Sequence, residues 1–399
     1  MSRETCPRAG ILQKALRLAD STVGLAWPGL VWPDLALPDG LDAYTECPET
    51  QDGSPMNLLP WRLRACVLLM LLAPAVLGAL EESSDEDATP DAAVDKGLAV
   101  LANMQQSDGT FNEGSAVTAL AGMAFLAGGN TANRGLYHAE CARCLKSLID
   151  HQDQVSGYLS ADAGNMYGHG FATLFLAESY GMAPDLAVRR ALEAAVDLIY
   201  SAQNQEGGWR YSPNPSSADI SVTICQVMAL RAAYNAGVGG DETQACMQRA
   251  LAYVRRCANG NGSFSYTANM GGDFGSSGAE GIPRTAAGCM CLIGMGVTDT
   301  KDRNLGPSLL YVRKYFAEHL RTAETNFWYG QYYTAQAMFH SPNLDDWQSY
   351  WRLARKIILQ RQSSAGSWTQ GEGPGPAYAT AMALIILQIP NNYLPIFQR

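Results

Sequence analysis

Charge is scarce in this chain. Of its 399 residues 17% are charged and 47% hydrophobic, and the formal net charge is −10. So apolar a composition excludes a disordered chain. The acidic balance argues against nucleic acid and against an anionic membrane surface as partners. Alternating polar and apolar runs of useful length are missing, which leaves helices to build the core. Near the front, residues 65–80 are uncharged but contain Pro74, and they fall short of the roughly 20 residues that a membrane span needs. Cysteine offers no disulfide framework: seven of the ten lie beyond that segment, an odd number without small-domain spacing.

What the chain does contain is repetition. Polar, Gly-rich turns with an aromatic residue recur, with aromatics at Phe111, Tyr158, Trp209, Phe264 and Trp368. The clearest copy is Gln203-Asn204-Gln205-Glu206-Gly207-Gly208-Trp209. A fifth, degenerate copy is Asn326-Phe327-Trp328-Tyr329-Gly330, which keeps the aromatics and loses the Gln/Gly turn. The spacing of about fifty residues, two helices per unit, is a repeat architecture. Amphipathic patterns of period 3.6 predict outer helices near 91–105, 138–151, 185–203, 243–258, 307–320 and 346–361. Nearly uncharged, Ala/Gly/Leu/Met-rich segments near 115–127, 167–180, 219–236, 284–295, 328–339 and 377–388 predict inner helices that must be covered on every side. Six inside six make an all-α, closed double ring, an (α/α)6 toroid spanning 91–390, with 391–399 as a C-terminal tail.

Ahead of the ring, the uncharged segment follows Arg62 and Arg64 and ends in small residues, Leu77-Gly78-Ala79. That is the form of an export signal over 56–80, with Met56 as the natural start and 1–55 as an over-extended or disordered leader. An acidic linker follows at 81–90. The reading is an exported protein, periplasmic or in the cell envelope, that meets a membrane only through this segment.

In a toroid of alternating helices the inner helices run in one direction, so their N-termini gather at one mouth of the central cavity, a natural place for anionic or electron-rich ligand atoms. The residues there hold most of the chemically capable groups: His169 and Asp219 as catalytic candidates, with Tyr167, Arg284, Trp328, Tyr329, Tyr333 and Tyr378 as ligand contacts. Each also has a plainer role, His169 as a helix-start hydrogen-bonder, Asp219 as an N-cap, the tyrosines as packing. His138, Cys141 and Cys144 could face one way on a helix and hold a soft metal, but small buried residues of an outer helix are the better reading, and no metal or cofactor is expected.

The Gln-rich, Gly-Gly-Trp turns followed by Ala/Leu helices resemble the repeats of squalene-hopene cyclases and of protein prenyltransferase β-subunits, over roughly 90–390. The chain is most similar to exported bacterial proteins with prenyltransferase/squalene-oxidase-type repeats, which share a Tyr-Gly-His-Gly start like 167–170 and an Asp-x-Ser-Val-Thr start like 219–223. The resemblance implies the toroid rather than an activity. Class II terpene cyclases protonate an alkene with the middle Asp of Asp-x-Asp-Asp-Thr; the matching stretch here is Asp219-Ile220-Ser221-Val222-Thr223, and Ser221 cannot supply that acid. Prenyltransferases bind zinc through an Asp-x-Cys pair that this sequence lacks, and the Cys-Gly-Glu-Gln of thioester domains is also absent. The leading expectation is therefore a cavity for an apolar or elongated, isoprenoid-like ligand, in a binding protein or a divergent enzyme. A carbohydrate-directed lyase or glycosidase using His169, Tyr333 and Arg284 is the alternative, and a non-catalytic scaffold the third.

Overall fold

The structure, a computed structural model, describes residues 89–160, 164–268, 277–369 and 373–398. The expected leader, export segment and nearly all of the acidic linker lie outside them. Among the described residues twelve α-helices alternate between two layers. The outer layer holds α1 (Pro90–Met104), α3 (His138–Asp150), α5 (Leu186–Ala202), α7 (Asp241–Cys257), α9 (Leu305–Thr322) and α11 (Leu344–Gln360). The inner layer holds α2 (Ser115–Ala127), α4 (Met166–Met182), α6 (Ile220–Asn235), α8 (Ile282–Gly294), α10 (Phe327–Phe339) and α12 (Pro376–Gln388). Each inner helix packs on the next and α12 packs on α2, so the ring closes.

The two layers differ as their compositions require. In α11 the buried residues are Asp346, Tyr350, Ala354 and Ile358, a single stripe at a spacing of four. In α2 eleven of thirteen residues are buried, so that helix has no solvent face. Glycine lets such helices approach: a Cβ on Gly122 of α2 would fall 2.3 Å from the Phe175 ring of α4. Likewise the turn aromatic Phe264 lies on Gly288 of α8.

The turns do more than connect. Gln203, after α5, donates through Nε2 both to the Gly207 carbonyl of its own turn and to the Cys246 carbonyl of α7, at 2.8 and 2.9 Å. Gln105 does the same to Gly109 and Glu140, and Gln152 to Gly157 and Ala191. Gln362 bonds Gly366 and then Ala93 of α1, each at 2.9 Å, so the last turn latches onto the first helix. Asn259 is shorter and stays within its own turn, donating to the Ser263 hydroxyl and accepting from that of Ser265; there Arg255 bridges to Asp302 and Asn304 instead. The degenerate fifth unit has no Gly turn. Asn326 enters α10 at φ 53°, and Arg361 at the end of α11 lies 3.7 Å over Phe327 and donates to the Leu320 carbonyl.

The end of the ring opposite the inner N-termini is covered by the chain's last residues. Two 3-10 turns, Ile389–Asn391 and Pro395–Phe397, bury Ile389, Leu394, Ile396 and Phe397. The Ile396 N–H donates to the buried carboxyl of Glu178 at 3.1 Å. The expected tail is thus part of the packed domain. No described helix is long and apolar enough to cross a membrane.

The latch makes its glycine irreplaceable. Gly207 has φ 91°, and a Cβ there would stand 2.4 Å from the Arg249 carbonyl of α7, whereas Gly237, at φ 77°, has nothing within 4 Å. Gly237→Ala should cost only the left-handed strain, about 1–2 kcal/mol. Gly207→Ala adds overpacking of about 1–3 kcal/mol. Thermal unfolding of the two variants compares them directly, and equal losses would show that the close approach contributes nothing.

Candidate functional site

The first turns of all six inner helices line one cavity of about 880 Å³. Ser115 comes from α2, Tyr167 from α4, Ser221 from α6, Arg284 from α8, Tyr329 from α10 and Tyr378 from α12. Three of these helix ends are capped by side chains. The Asn165 carboxamide accepts from Tyr167 N and the Asp219 carboxylate from Val222 N, both at 2.9 Å. Glu113, from the turn before α2, reaches across to cap α12, its two oxygens accepting Ala377 N and Tyr378 N at 3.1 and 2.8 Å. The N-caps of α2, α8 and α10, namely Gly114, Gly281 and Asn326, make no side-chain cap. Helix ends without a side-chain cap favour negative charge beside them through the helix dipole.

Below the mouth the axis is filled by aromatic contacts between opposite sides of the ring. Phe171 of α4 meets Tyr332 of α10 edge to face, and Tyr167 meets Tyr329 in the same way. Tyr329 also donates its hydroxyl to the Ser221 carbonyl of α6 at 3.2 Å. The Tyr333 hydroxyl sits 3.5 Å from the Cys225 thiol. The cavity is therefore a cup with a floor, not a channel.

Of the residues expected at the mouth, Tyr167, Arg284, Tyr329 and Tyr378 line it. Tyr333 lies beneath them in the plug, and Trp328 faces the opposite way, buried with its indole N–H donating to the Thr369 carbonyl at 3.3 Å.

His169 and Asp219 also stand behind the wall. In four turns the backbone N–H of Phe111, Trp209, Phe264 or Trp368 is accepted by a Thr hydroxyl of the following inner helix, Thr118, Thr223, Thr285 or Thr380. His169 takes that position in α4, its Nδ1 accepting from Leu159 N at 3.2 Å and its Nε2 facing the Ala195 carbonyl at 3.0 Å. Both nitrogens are used by the scaffold, and the second bond fixes the Nε2–H tautomer. Burial pushes the ring's pKa down to about 4, against a smaller upward pull from the Ala195 carbonyl. The same bond corrects the register: the buried turn residue of the second unit is Leu159, and Tyr158 lies tilted against the His169 ring.

Asp219 is fully buried. Burial raises its pKa, and Val222 N–H, the Tyr266 hydroxyl and Arg210, whose Nε is 3.8 Å away, draw it part of the way back. It does not line the cavity itself, whereas Tyr266 does, its hydroxyl meeting that of Tyr211 at 2.5 Å on the wall. In α3, the His138 Nδ1 lies 3.0 Å from the Gly135 carbonyl, and the Cys144 thiol accepts from Gln105 at 3.1 Å, so the two do not converge.

Glu113, Tyr211 and Tyr266 were missed although the repeat marks them. Each lies two residues after a buried turn aromatic, Phe111, Trp209 or Phe264. Read in register, that position points into the mouth.

Chemically the wall is rich in hydroxyls. Burial raises the pKa of Tyr167, Tyr266, Tyr329 and Tyr378, so all four remain neutral phenols that donate and accept hydrogen bonds. Glu113 has both oxygens committed to α12 and is not a free base. Arg284 has its Nε and Nη2 buried without a hydrogen-bond partner.

No protein-family model and no curated protein matches the chain. Solved structures do. A variant of the type II terpene cyclase MstE from Scytonema, in complex with geranylgeranyl dihydroxybenzoate, superposes with a TM-score of 0.53 at 12% identity over 76% of this chain and 98% of that one. The GH76A α-1,6-mannanase from Salegentibacter sp. gives 0.54 at 8% identity, covering 75% and 98%. A possible GH105 member from Klebsiella pneumoniae gives 0.54 at 12%, covering 75% and 92%. Cyclase and glycosidases match alike, so the likeness defines the all-α (α/α)6 toroid class and nothing finer.

The placement of His169 has a pH consequence. An unfolded chain protonates this ring near its ordinary pKa of about 6.5, while the folded chain holds it neutral down to about 4. The contribution to stability is full above about 6.5 and is lost as pH falls toward 4, on the order of 3 kcal/mol across that window. The His169 ring should show no NMR titration between roughly pH 5 and 8, and His169→Thr should remove part of the acid sensitivity. A midpoint near the ordinary value would place the ring in solvent and overturn its structural role.

Proposed function

We propose that this toroid binds an elongated, hydroxyl-bearing ligand of the carbohydrate type in its single-mouthed cup. One observation carries the reading. The wall presents five tyrosines, Tyr167, Tyr211, Tyr266, Tyr329 and Tyr378, among Ser115, Ser160, Ser221 and Asn165, over a floor closed by aromatic contacts. Neutral phenols beside hydroxyls suit the faces and edges of sugar rings, and a plugged axis leaves little depth for a long hydrocarbon. The solved mannanase offers a precedent for oligosaccharide in this fold, by fold likeness alone. The isoprenoid reading keeps one support, the apolar patch of Phe171, Leu120, Leu148 and Leu159 on the same wall.

Calorimetric titration separates the two. Short linear oligosaccharides should bind, and Tyr211→Ala, a change at an exposed ring, should weaken them by about 1 kcal/mol, roughly fivefold. Tighter binding of geranylgeraniol than of any oligosaccharide would reverse the assignment.

We also propose export through 56–80, supported by the basic, apolar and small-residue order of that segment. Sequencing the N-terminus of protein recovered outside the cytoplasm should find a start near residue 80. An intact segment on cytoplasmic protein would refute it.

A further inference from the structure

Arg284 is the third residue of α8, and it stands in the cavity wall at an end that carries no side-chain cap. Two other half-buried arginines are paired with carboxylates, Arg255 with Asp302 and Arg313 with Asp346, each at 2.7 Å. Arg284 makes no ion pair among the described residues, and only the charge of Glu280 acts on it from the rim. Its Nε and Nη2 are shut off from water without an acceptor, while the residue itself lines the cavity. Two carboxylates share the wall. Glu113 has both oxygens bound to α12, and Glu280 stands exposed at the rim without an ion pair to Arg284 among the described residues. A partly desolvated guanidinium with two buried nitrogens that meet no acceptor, beside uncapped helix ends, is a setting in which an incoming carboxylate gains.

The geometry points to an acidic ligand: a uronic-acid oligosaccharide whose carboxylate pairs with Arg284 while its hydroxyls and ring faces meet the tyrosine wall. This rests on the carbohydrate reading above and narrows it. The planar guanidinium gives directed, charge-assisted hydrogen bonds to a carboxylate, and an ester keeps the shape of that group without the charge.

The test compares oligogalacturonate with its carboxyl-methyl ester, titrated into the full chain at roughly physiological ionic strength, where the net charge of −10 repels the acid least. The acid should bind at least about tenfold more tightly than the ester, the worth of one charge-assisted contact. Arg284→Gln should abolish that preference while leaving ester binding in place, and Arg284→Lys should retain part of it. Ester binding in the glutamine variant shows that its fold and cup are intact. Equal affinities in the wild type, or a preference that survives in Arg284→Gln, would overturn the inference and leave the carbohydrate reading standing. Absence of binding by both forms would overturn both.

Discussion

The ring depends on a carboxamide that bonds in two directions at once. In four of the six units a glutamine at the end of an outer helix donates one N–H to its own turn and the other to the next outer helix. A glycine in the left-handed region lets the turn press against that neighbouring helix. The glutamine thus fixes both the turn and the step to the next unit. Because Gln362 makes the same bonds to α1 that Gln203 makes to α7, closure is one more step of the repeat rather than a separate event.

From the latch the path to the site is short. The turn sets its buried residue, an aromatic or Leu159, whose N–H is accepted by a threonine, or for Leu159 by His169, in the first turns of the inner helix. That bond pins the start of the inner helix and so places its first residues around the mouth. Two residues beyond the aromatic, the chain has turned toward the axis, and Glu113, Tyr211 and Tyr266 emerge on the wall. The scaffold positions the wall twice, once from the turn and once from the helix start. This is why side chains distant in sequence, such as Tyr211 and Tyr266, meet hydroxyl to hydroxyl.

All twelve helices were legible because the two layers face different solvents. Outer helices carry one apolar stripe and inner ones are apolar all round, and both patterns survive in the sequence without any contact being known. The gathering of inner N-termini followed from alternation alone, and it placed Tyr167, Arg284, Tyr329 and Tyr378 on the wall. What failed was register within the turns. Tyr158 is aromatic and close to the period, yet Leu159 is the buried member, and the difference lies in which backbone N–H the inner helix accepts. His169 looked catalytic because histidine is chemically capable. Its position is one that threonine fills elsewhere, so its chemistry is spent on the scaffold. Trp328 is the neighbour of Tyr329, and a helix turns about 100° per residue, so it faces elsewhere; Tyr333 shares the face of Tyr329 four residues on and lies one turn deeper, in ring contact with it.

The same geometry limits what the cup can do. Charge inside it is confined to groups the fold does not need elsewhere, and most candidates are needed. Asp219 and Asn165 cap their own helices, and Glu113 caps a neighbour's. His169 stands in for a threonine, and the phenols are held neutral by burial. Arg284 is the exception, because no described acceptor meets its buried nitrogens. A wall made mostly of uncharged hydrogen-bonding groups, with Arg284 half-buried in it, is poorly suited to protonating an alkene, which demands a strong acid in an apolar chamber. It is better suited to holding many weakly polar groups and one anion, and in that arrangement the hydroxyls would supply breadth of contact and the guanidinium would supply discrimination.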